Sequence, residues 1–125
     1  MTLPARAPKK QKRATRWKSQ AHRRSVTKDF ACAFCGTVER VREPAHVRIG
    51  SGAGMGEKPD DWRCVPLCGG PEGCHATQHR IGERTFWSDY EMRHGQTVEQ
   101  LIESLIKVSP RRHEIEQVRK ERENA

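Results

Sequence analysis

The sequence predicts a small α+β domain that is held together by a structural metal ion. The chain has 125 residues, of which 34% are hydrophobic and 6% aromatic, so only a small core can be buried. Two of its five cysteines form the pattern Cys32-x2-Cys35, which suits one tetrahedral metal ion. Segments with strand-like alternation come first and segments with helical spacing follow, as is typical of an α+β fold.

Metal binding is favoured over disulfide bonds as the use of these cysteines. The N-terminal residues have no apolar stretch after their charges, so no secretory signal is predicted. No apolar run is long enough to span a membrane, and no membrane partner is expected. These features predict a cytoplasmic protein with reduced thiols, in which zinc stabilises a small domain.

The positive charge is concentrated at the N-terminus. Residues 1–28 carry ten Lys or Arg and no Asp or Glu, whereas residues 29–125 carry fourteen basic and sixteen acidic residues. A cationic segment gains affinity for polyphosphates through counterion release, so nucleic acid is the favoured partner. The alternative is a tail that only confers solubility. The predicted DNA-binding residues of this segment are Lys9, Lys10, Lys12, Arg13 and Arg16.

Residues 1–25 are predicted to form a disordered or conditionally helical arm. They combine early prolines and dense positive charge with few aliphatic side chains. Trp17 is the only aromatic residue of this arm. Its indole could stack on a nucleic-acid base or pack on the folded domain, and both alternatives stay open.

The folded domain is predicted over residues 26–95. Residues 29–36 should form a short strand that leads into a tight cysteine turn, where Gly36 permits the turn. Residues 37–42 and 45–49 place Val and Ile at alternating positions, which predicts two further short strands.

The next segments alternate between loop, strand and helix. Residues 50–56 contain four glycines and are predicted to be a loop, and residues 62–68 form an extended segment. A short helix should begin around residues 75–79, and a second helix over residues 82–92 should be closed by Gly95. The predicted core face of this second helix consists of Phe86, Trp87 and Tyr90.

Residues 96–125 are predicted to be a C-terminal helical extension. Thr97 has the position of an N-cap, and Pro110 should end the helix that follows. Residues 111–125 alternate charge signs, which predicts a frayed or solvent-exposed helix. The apolar residues at helical spacing after Thr97 are Leu101, Ile102, Leu105 and Ile106.

The second pair of cysteine ligands is predicted to be Cys68 and Cys74. Their five-residue separation is longer than usual, but the glycine-rich residues 69–73 can widen the turn without moving its ends. Cys64 and Cys68 have a more usual separation and are the alternative pair. Cys64 lies in the extended segment, however, and is expected to be a small buried hydrophobic residue.

A second metal site is predicted at His75-x3-His79. These two imidazoles lie one helical turn apart on one face, where both can bind the same ion. Two histidines at this spacing also occur by chance in many helices. The adjoining cysteine site favours metal binding here, because it would hold the pair on a rigid element.

Several of these motifs together resemble the HNH (ββα-metal) nucleases, in particular a phage and prophage branch with a zinc-binding frame. The resemblance covers about residues 30–92. The motifs that carry it are Cys32-x2-Cys35, Ala45-His46-Val47-Arg48, the loop of residues 50–56, Val65-Pro66-Leu67-Cys68, Cys74-His75-x3-His79, and Gly82-Glu83 with Phe86-Trp87.

The resemblance implies a DNA endonuclease with two kinds of metal. It assigns structural Zn²⁺ to the four cysteines, a catalytic Mg²⁺ or Mn²⁺ to His75 and His79, and the role of general base to His46. Some nucleases of this branch act only with a recombinase filament, so such a filament is an implied partner.

The sequence departs from the family pattern in two places. Ala45 stands where a metal ligand is usual, so a third ligand could come from His46, Asp60 or Asp61. The Asn that usually orients the base is absent from residues 62–64. Asp60 or Asp61 could orient His46 instead, or both could be loop acids.

Other residues of this region leave alternatives open. Arg48 could bind the scissile phosphate or form a surface salt bridge. The glycine-rich loop lacks the helix start and Lys-Ser/Thr of a nucleotide site, so no nucleotide cofactor is expected. Two other functions compete with the nuclease: a catalytically silent zinc-binding DNA or recombination accessory module, and a protein-interaction zinc domain.

Overall fold

The computed structural model describes residues 2–5, 15–53 and 57–124. Within these residues the fold combines five α-helices with a two-stranded antiparallel sheet, so the predicted α+β class is confirmed. The elements are α1 (Gln20–Asp29), β1 (Arg42–His46), β2 (Cys64–Cys68), α2 (Cys74–Ile81), α3 (Glu83–His94), α4 (Val98–Lys107) and α5 (Arg112–Glu123), with a 3₁₀ turn (Asp61–Arg63) before β2. None of the described helices is long and apolar enough to cross a membrane.

Two opposed prolines set the hydrogen bonding of the sheet. Pro44 of β1 pairs with Pro66 of β2, and since neither has an N–H, this is a position where the strands exchange no hydrogen bond. The carbonyl of Pro66 is then available on the other side of β2, where it accepts from Ala33 N at 2.8 Å. The same register places His46 opposite Cys64.

The segment of residues 37–41 is not a strand, which corrects the prediction for residues 37–42. Val38 and Val41 are 67% and 79% exposed, so these apolar residues do not form the buried face of a strand. The Arg42 side chain explains why this segment is curved and not extended. Its guanidinium group donates to the carbonyls of Phe30, Val38 and Arg40, so the backbone bends around it. Two other predicted strands also differ from the structure. The strand predicted within residues 29–36 is a turn, and the strand predicted over residues 45–49 is replaced by β1, which begins earlier and ends at His46.

The N-terminal segment enters the fold before residue 25, so the predicted boundary of the arm lies inside a helix. Ser19 caps α1 by accepting from His22 N, and Val26 of α1 is 1% exposed. Trp17 packs on Trp62 with ring centroids 5.6 Å apart, and its Nε1 donates to Glu114. The tryptophan is therefore part of the core, which resolves the two alternatives left by the sequence.

Of the C-terminal helices, α4 packs on β2, and α3 and α5 pack on α4. Thr97 and Gln100 form a capping box at the start of α4, and Gly95 ends α3 with a φ of 70°. Helix α5 buries Ile115 completely and fixes Asp60 through a paired contact with Arg122. The described side chains that form the main core include Val65, Leu67, Phe86, Trp87, Tyr90, Ile102, Leu105 and Ile106.

Candidate metal centre and histidine cleft

Four cysteines come together from three parts of the chain. Cys32 and Cys35 lie in the turn after α1, Cys68 ends β2, and Cys74 begins α2. Their sulfur atoms all lie within 4.8 Å of one another and can hold one metal ion. The cluster contains Cys74 and not Cys64.

Backbone amides and burial both shape the chemistry of this cluster. Cys68 N donates to Cys32 Sγ at 3.4 Å, and Cys74 N donates to Cys68 Sγ at 3.2 Å. Burial would raise the pKa of Cys32, but the amides of Cys35 and Cys68 lower it to about 7. Burial and then the charge of Cys32 raise the pKa of Cys74. A thiolate at one cysteine thus disfavours the ionisation of a neighbouring thiol. A metal cation would offset this repulsion and allow several thiolates to form together.

The residues between Cys68 and Cys74 form a closely packed turn. A side-chain carbon at Gly73 would lie 2.3 Å from the carbonyl oxygen of Gly69 and 2.4 Å from that of Cys68. Only glycine fits at this position, and the close approach brings Cys74 back toward the other sulfurs. The long separation of the second cysteine pair is therefore accommodated as the sequence predicted.

Cys64 is buried away from the cluster. Its side chain is 0% exposed, and burial followed by the charge of Asp61 raises its pKa. The protonated thiol packs at the first position of β2, opposite His46. This is the small hydrophobic role that the sequence indicated.

The three histidines singled out in the sequence line one cleft of about 800 Å³. His46 lies at the end of β1, and the rings of His75 and His79 on α2 have centroids 4.9 Å apart. The described residues that also line the cleft are Arg23, Pro44, Arg48, Glu57, Lys58, Pro59, Gln78, Gly82 and Glu83. The sheet and α2 thus bring the candidate base and the candidate ion-binding pair to one place.

His75 is oriented by an acidic residue of β1. Its Nδ1 lies 3.1 Å from Glu43 Oε1, so Nδ1–H can donate to this carboxylate. Such a bond leaves Nε2 as the ring nitrogen that can bind a metal ion. Sequence reasoning missed Glu43, because only the fold places residue 43 beside residue 75.

His46 is held by the buried carboxylate of Asp61. Its Nε2 lies 2.8 Å from Asp61 Oδ1, and Asp61 is 0% exposed. The other Asp61 oxygen accepts from Ser19 N and Arg23 Nη1, both at 2.8 Å. Burial would raise the pKa of Asp61, but the bonds from His46 and Ser19 and the charge of Arg23 lower it. An ionised Asp61 accepts Nε2–H, so in the neutral imidazole of His46 the free lone pair lies on Nδ1.

A metal ion at Asp61 is disfavoured by its neighbours. His46, Asp61 and Cys64 do place three potential ligand atoms within 4.8 Å of one another. Asp61, however, already contacts Arg16 and Arg23 at 3.1 and 2.8 Å, and Cys64 stays protonated. Both oxygens of the Asp61 carboxylate thus already accept hydrogen bonds from the protein, so neither is available to a metal ion.

The structure places the other residues that the sequence predicted for the site in different surroundings. Ala45 is 0% exposed in the core and offers no ligand to the cleft. Arg48 is exposed at the cleft, and its backbone N donates to Glu83 Oε1 at 2.7 Å. Arg16 contacts Asp61 and lies 3.4 Å from His46 Nε2. The other predicted DNA contacts, Lys9, Lys10, Lys12 and Arg13, lie outside the described residues.

Two cleft residues, Arg23 and Gln78, carried no recognisable signal in the sequence. Arg23 was one cation among many in the predicted arm, and Gln78 has no charge. Glu83 belongs to a motif of the resemblance, but the sequence assigned it no role in the site.

Comparison with known proteins gives no match to a family model, to a curated protein or to a solved structure.

Proposed function

We propose that the protein is a metal-dependent DNA endonuclease with an HNH-type ββα-metal site. The observation that carries this proposal is the cleft in which His46, fixed by ionised Asp61, faces the same space as His75 and His79. A candidate base and a histidine pair for a divalent ion are two parts that metal-dependent phosphodiester hydrolysis can use.

His46 acts as general base in this proposal. Nε2–H donates to Asp61, so Nδ1 is the atom that takes a proton from the attacking water. The negative charge of Asp61 then stabilises the imidazolium that forms, as a carboxylate does for a catalytic histidine in other hydrolases. The sequence left Asp60 and Asp61 as alternatives for the residue that orients His46. The proposal assigns this role to Asp61.

His75 and His79 hold Mg²⁺ or Mn²⁺ in this proposal. When bound, the ion supplies charge stabilisation at the scissile phosphate. The bond from His75 to Glu43 fits a metal ligand, because a ligating histidine usually donates its other N–H to a carboxylate or carbonyl.

Zn²⁺ in the four-cysteine cluster is proposed as the structural metal. Cys74 begins α2 and directly precedes His75, so the zinc site fixes the helix that carries the catalytic pair. Four thiolates are a donor set typical of structural zinc. The small core alone would leave this helix weakly held.

DNA is the proposed substrate because the cleft and its approach carry cations. Arg23, Arg48 and Lys58 line the cleft, where guanidinium and ammonium groups can bind phosphate oxygens. The arm adds affinity that does not depend on base sequence.

A catalytically silent zinc-binding DNA module is the second candidate. Buried Ala45 at the usual ligand position favours it, because His75 and His79 then have no third protein ligand from that residue. In that case the zinc cluster and DNA affinity would remain without hydrolysis.

Cleavage of supercoiled plasmid DNA tests the proposal. We expect nicking by the wild-type protein with Mg²⁺ or Mn²⁺, assayed on bare DNA and on recombinase-coated DNA. The double variant His75→Ala/His79→Ala should bind DNA and retain zinc but not nick. Binding without cleavage on both substrates by the wild-type protein would favour the silent module.

A further inference from the structure

Gln78 is a buried polar residue without a partner. Its side chain is 1% exposed, and neither Oε1 nor Nε2 has a hydrogen-bond partner among the described residues. Buried amide groups nearly always have a hydrogen-bond partner, because an unpaired buried amide loses its hydrogen bonds to water and gains none in the protein. An unpaired amide at this depth therefore indicates a polar partner from outside the chain, either a water molecule or a ligand.

The position of Gln78 identifies where that partner lies. Gln78 contributes to the cleft beside His75 and His79, which are three residues before it and one residue after it on α2. No other residue of α2 is buried, and Gln78 lies one turn beyond Cys74. A leucine or methionine would suit such a position for packing alone.

A water molecule bound to the divalent ion could pair with the Gln78 amide. Mg²⁺ and Mn²⁺ favour octahedral coordination, so an ion with two histidine ligands keeps several waters. Water bound to a cation is a strong hydrogen-bond donor and needs acceptors. A neutral amide oxygen accepts from it without the cost of burying a second carboxylate.

We propose that Gln78 Oε1 accepts a hydrogen bond from a water ligand of the ion held by His75 and His79. This inference rests on the proposed ion site. It makes Gln78 a positioning residue that increases metal affinity and fixes the hydration of the ion, in a cleft where Ala45 contributes no ligand.

Mn²⁺ binding to the zinc-loaded full chain tests this role, with free Mn²⁺ measured by electron paramagnetic resonance. Mutating a residue that hydrogen-bonds to a ligand of a metal ion typically weakens metal affinity by about 10- to 100-fold. We therefore expect Gln78→Met to weaken Mn²⁺ binding by at least about 10-fold. Without Mn²⁺ the same variant should melt at a higher temperature than wild type, because methionine fills the site without an unpaired amide.

Gln117→Met on α5 is the matched control, since Gln117 is exposed and lies outside the cleft. It should leave Mn²⁺ affinity and melting temperature unchanged. Gln78→Leu is the second variant and should show the same two effects. Equal Mn²⁺ affinity in wild type and in Gln78→Met would overturn the role of Gln78 while leaving the nuclease intact. Failure of wild-type protein to bind Mn²⁺ would overturn the ion site itself.

Discussion

Nε2 of His46 lies 2.8 Å from Oδ1 of Asp61, a carboxylate that is completely buried. The other oxygen of Asp61 binds Ser19 N and Arg23 Nη1, so the N-terminal segment holds the acid that holds the candidate base. A segment that looks like a disordered arm in the sequence is therefore a structural part of the candidate site.

Replacing Asp61 should separate the two roles of this carboxylate. Asp61→Asn removes the charge that would stabilise an imidazolium, so we expect kcat for DNA cleavage to fall by about 100-fold, the lower end of acid–base contributions. KM should change little, because Asp61 is buried and is not expected to contact DNA.

The matched variant Asp61→Ala should also unfold more easily. It leaves Arg16, Arg23 and Ser19 N without their acceptor, and breaking a buried charged contact costs about 3–5 kcal/mol. Urea denaturation measures this loss. Full cleavage activity in Asp61→Asn would show that Asp61 has only a structural role.

Zinc content should distinguish Cys74 from Cys64. Cys74→Ser removes one of four clustered sulfurs, so we expect zinc to fall well below one ion per chain, with loss of helix signal in circular dichroism. Cys64→Ala replaces a buried thiol by a smaller apolar group and should keep its zinc. Zinc loss in Cys64→Ala but not in Cys74→Ser would contradict the ligand assignment.

Acid should destabilise the fold partly through His22. His22 is completely buried and its Nδ1 lies 2.7 Å from Ser109 Oγ. Burial lowers the pKa of His22 from 6.5 to about 4, although Asp61 opposes this shift. Between these values the unfolded chain binds a proton that the folded chain does not, so stability falls as pH falls from 6.5 to 4. The loss from this residue is on the order of 3 kcal/mol.

The variant His22→Asn isolates this effect, because asparagine can hydrogen-bond Ser109 but does not titrate. Zinc release also weakens the fold in acid, so the difference between the two stability curves is the informative quantity. We expect this difference to change between pH 6.5 and 4 and to be constant above pH 7. Parallel curves over that window would contradict a buried neutral His22.

Two N-terminal truncations should behave differently. Removing residues 2–14 should weaken DNA binding and flatten its salt dependence by up to about 0.9 per lost phosphate contact. Removing residues 2–25 also deletes Trp17 and most of α1, so the domain should lose its cooperative unfolding transition. A stable domain after the longer deletion would contradict the packing of this segment.

Local signals predicted the helices that follow the sheet, whereas α1 lies largely in the segment predicted to be a disordered or conditionally helical arm. The capping box at Thr97 and the end of α3 at Gly95 depend on neighbouring residues alone, so the sequence contains the whole cause. The turn from Cys32 to Cys35 and the turn from Cys68 to Cys74 are each local, whereas the meeting of the two cysteine pairs is a long-range contact.

Long-range contacts explain what the sequence did not predict. The path of residues 37–41 depends on Arg42 reaching Phe30, and the order of the N-terminal segment depends on Asp61, which is distant in sequence. The contact of His75 with Glu43 likewise joins two elements that only the fold brings together.

Chemical rescue of His46→Ala tests the central claim most directly. We expect this variant to retain zinc and DNA binding and to cleave DNA at least about 100-fold more slowly than wild type, as loss of a general base implies. Added imidazole should restore part of the rate in proportion to its unprotonated fraction, while wild type should not respond. Wild-type cleavage rates in His46→Ala without imidazole would contradict the assignment of His46 as the base.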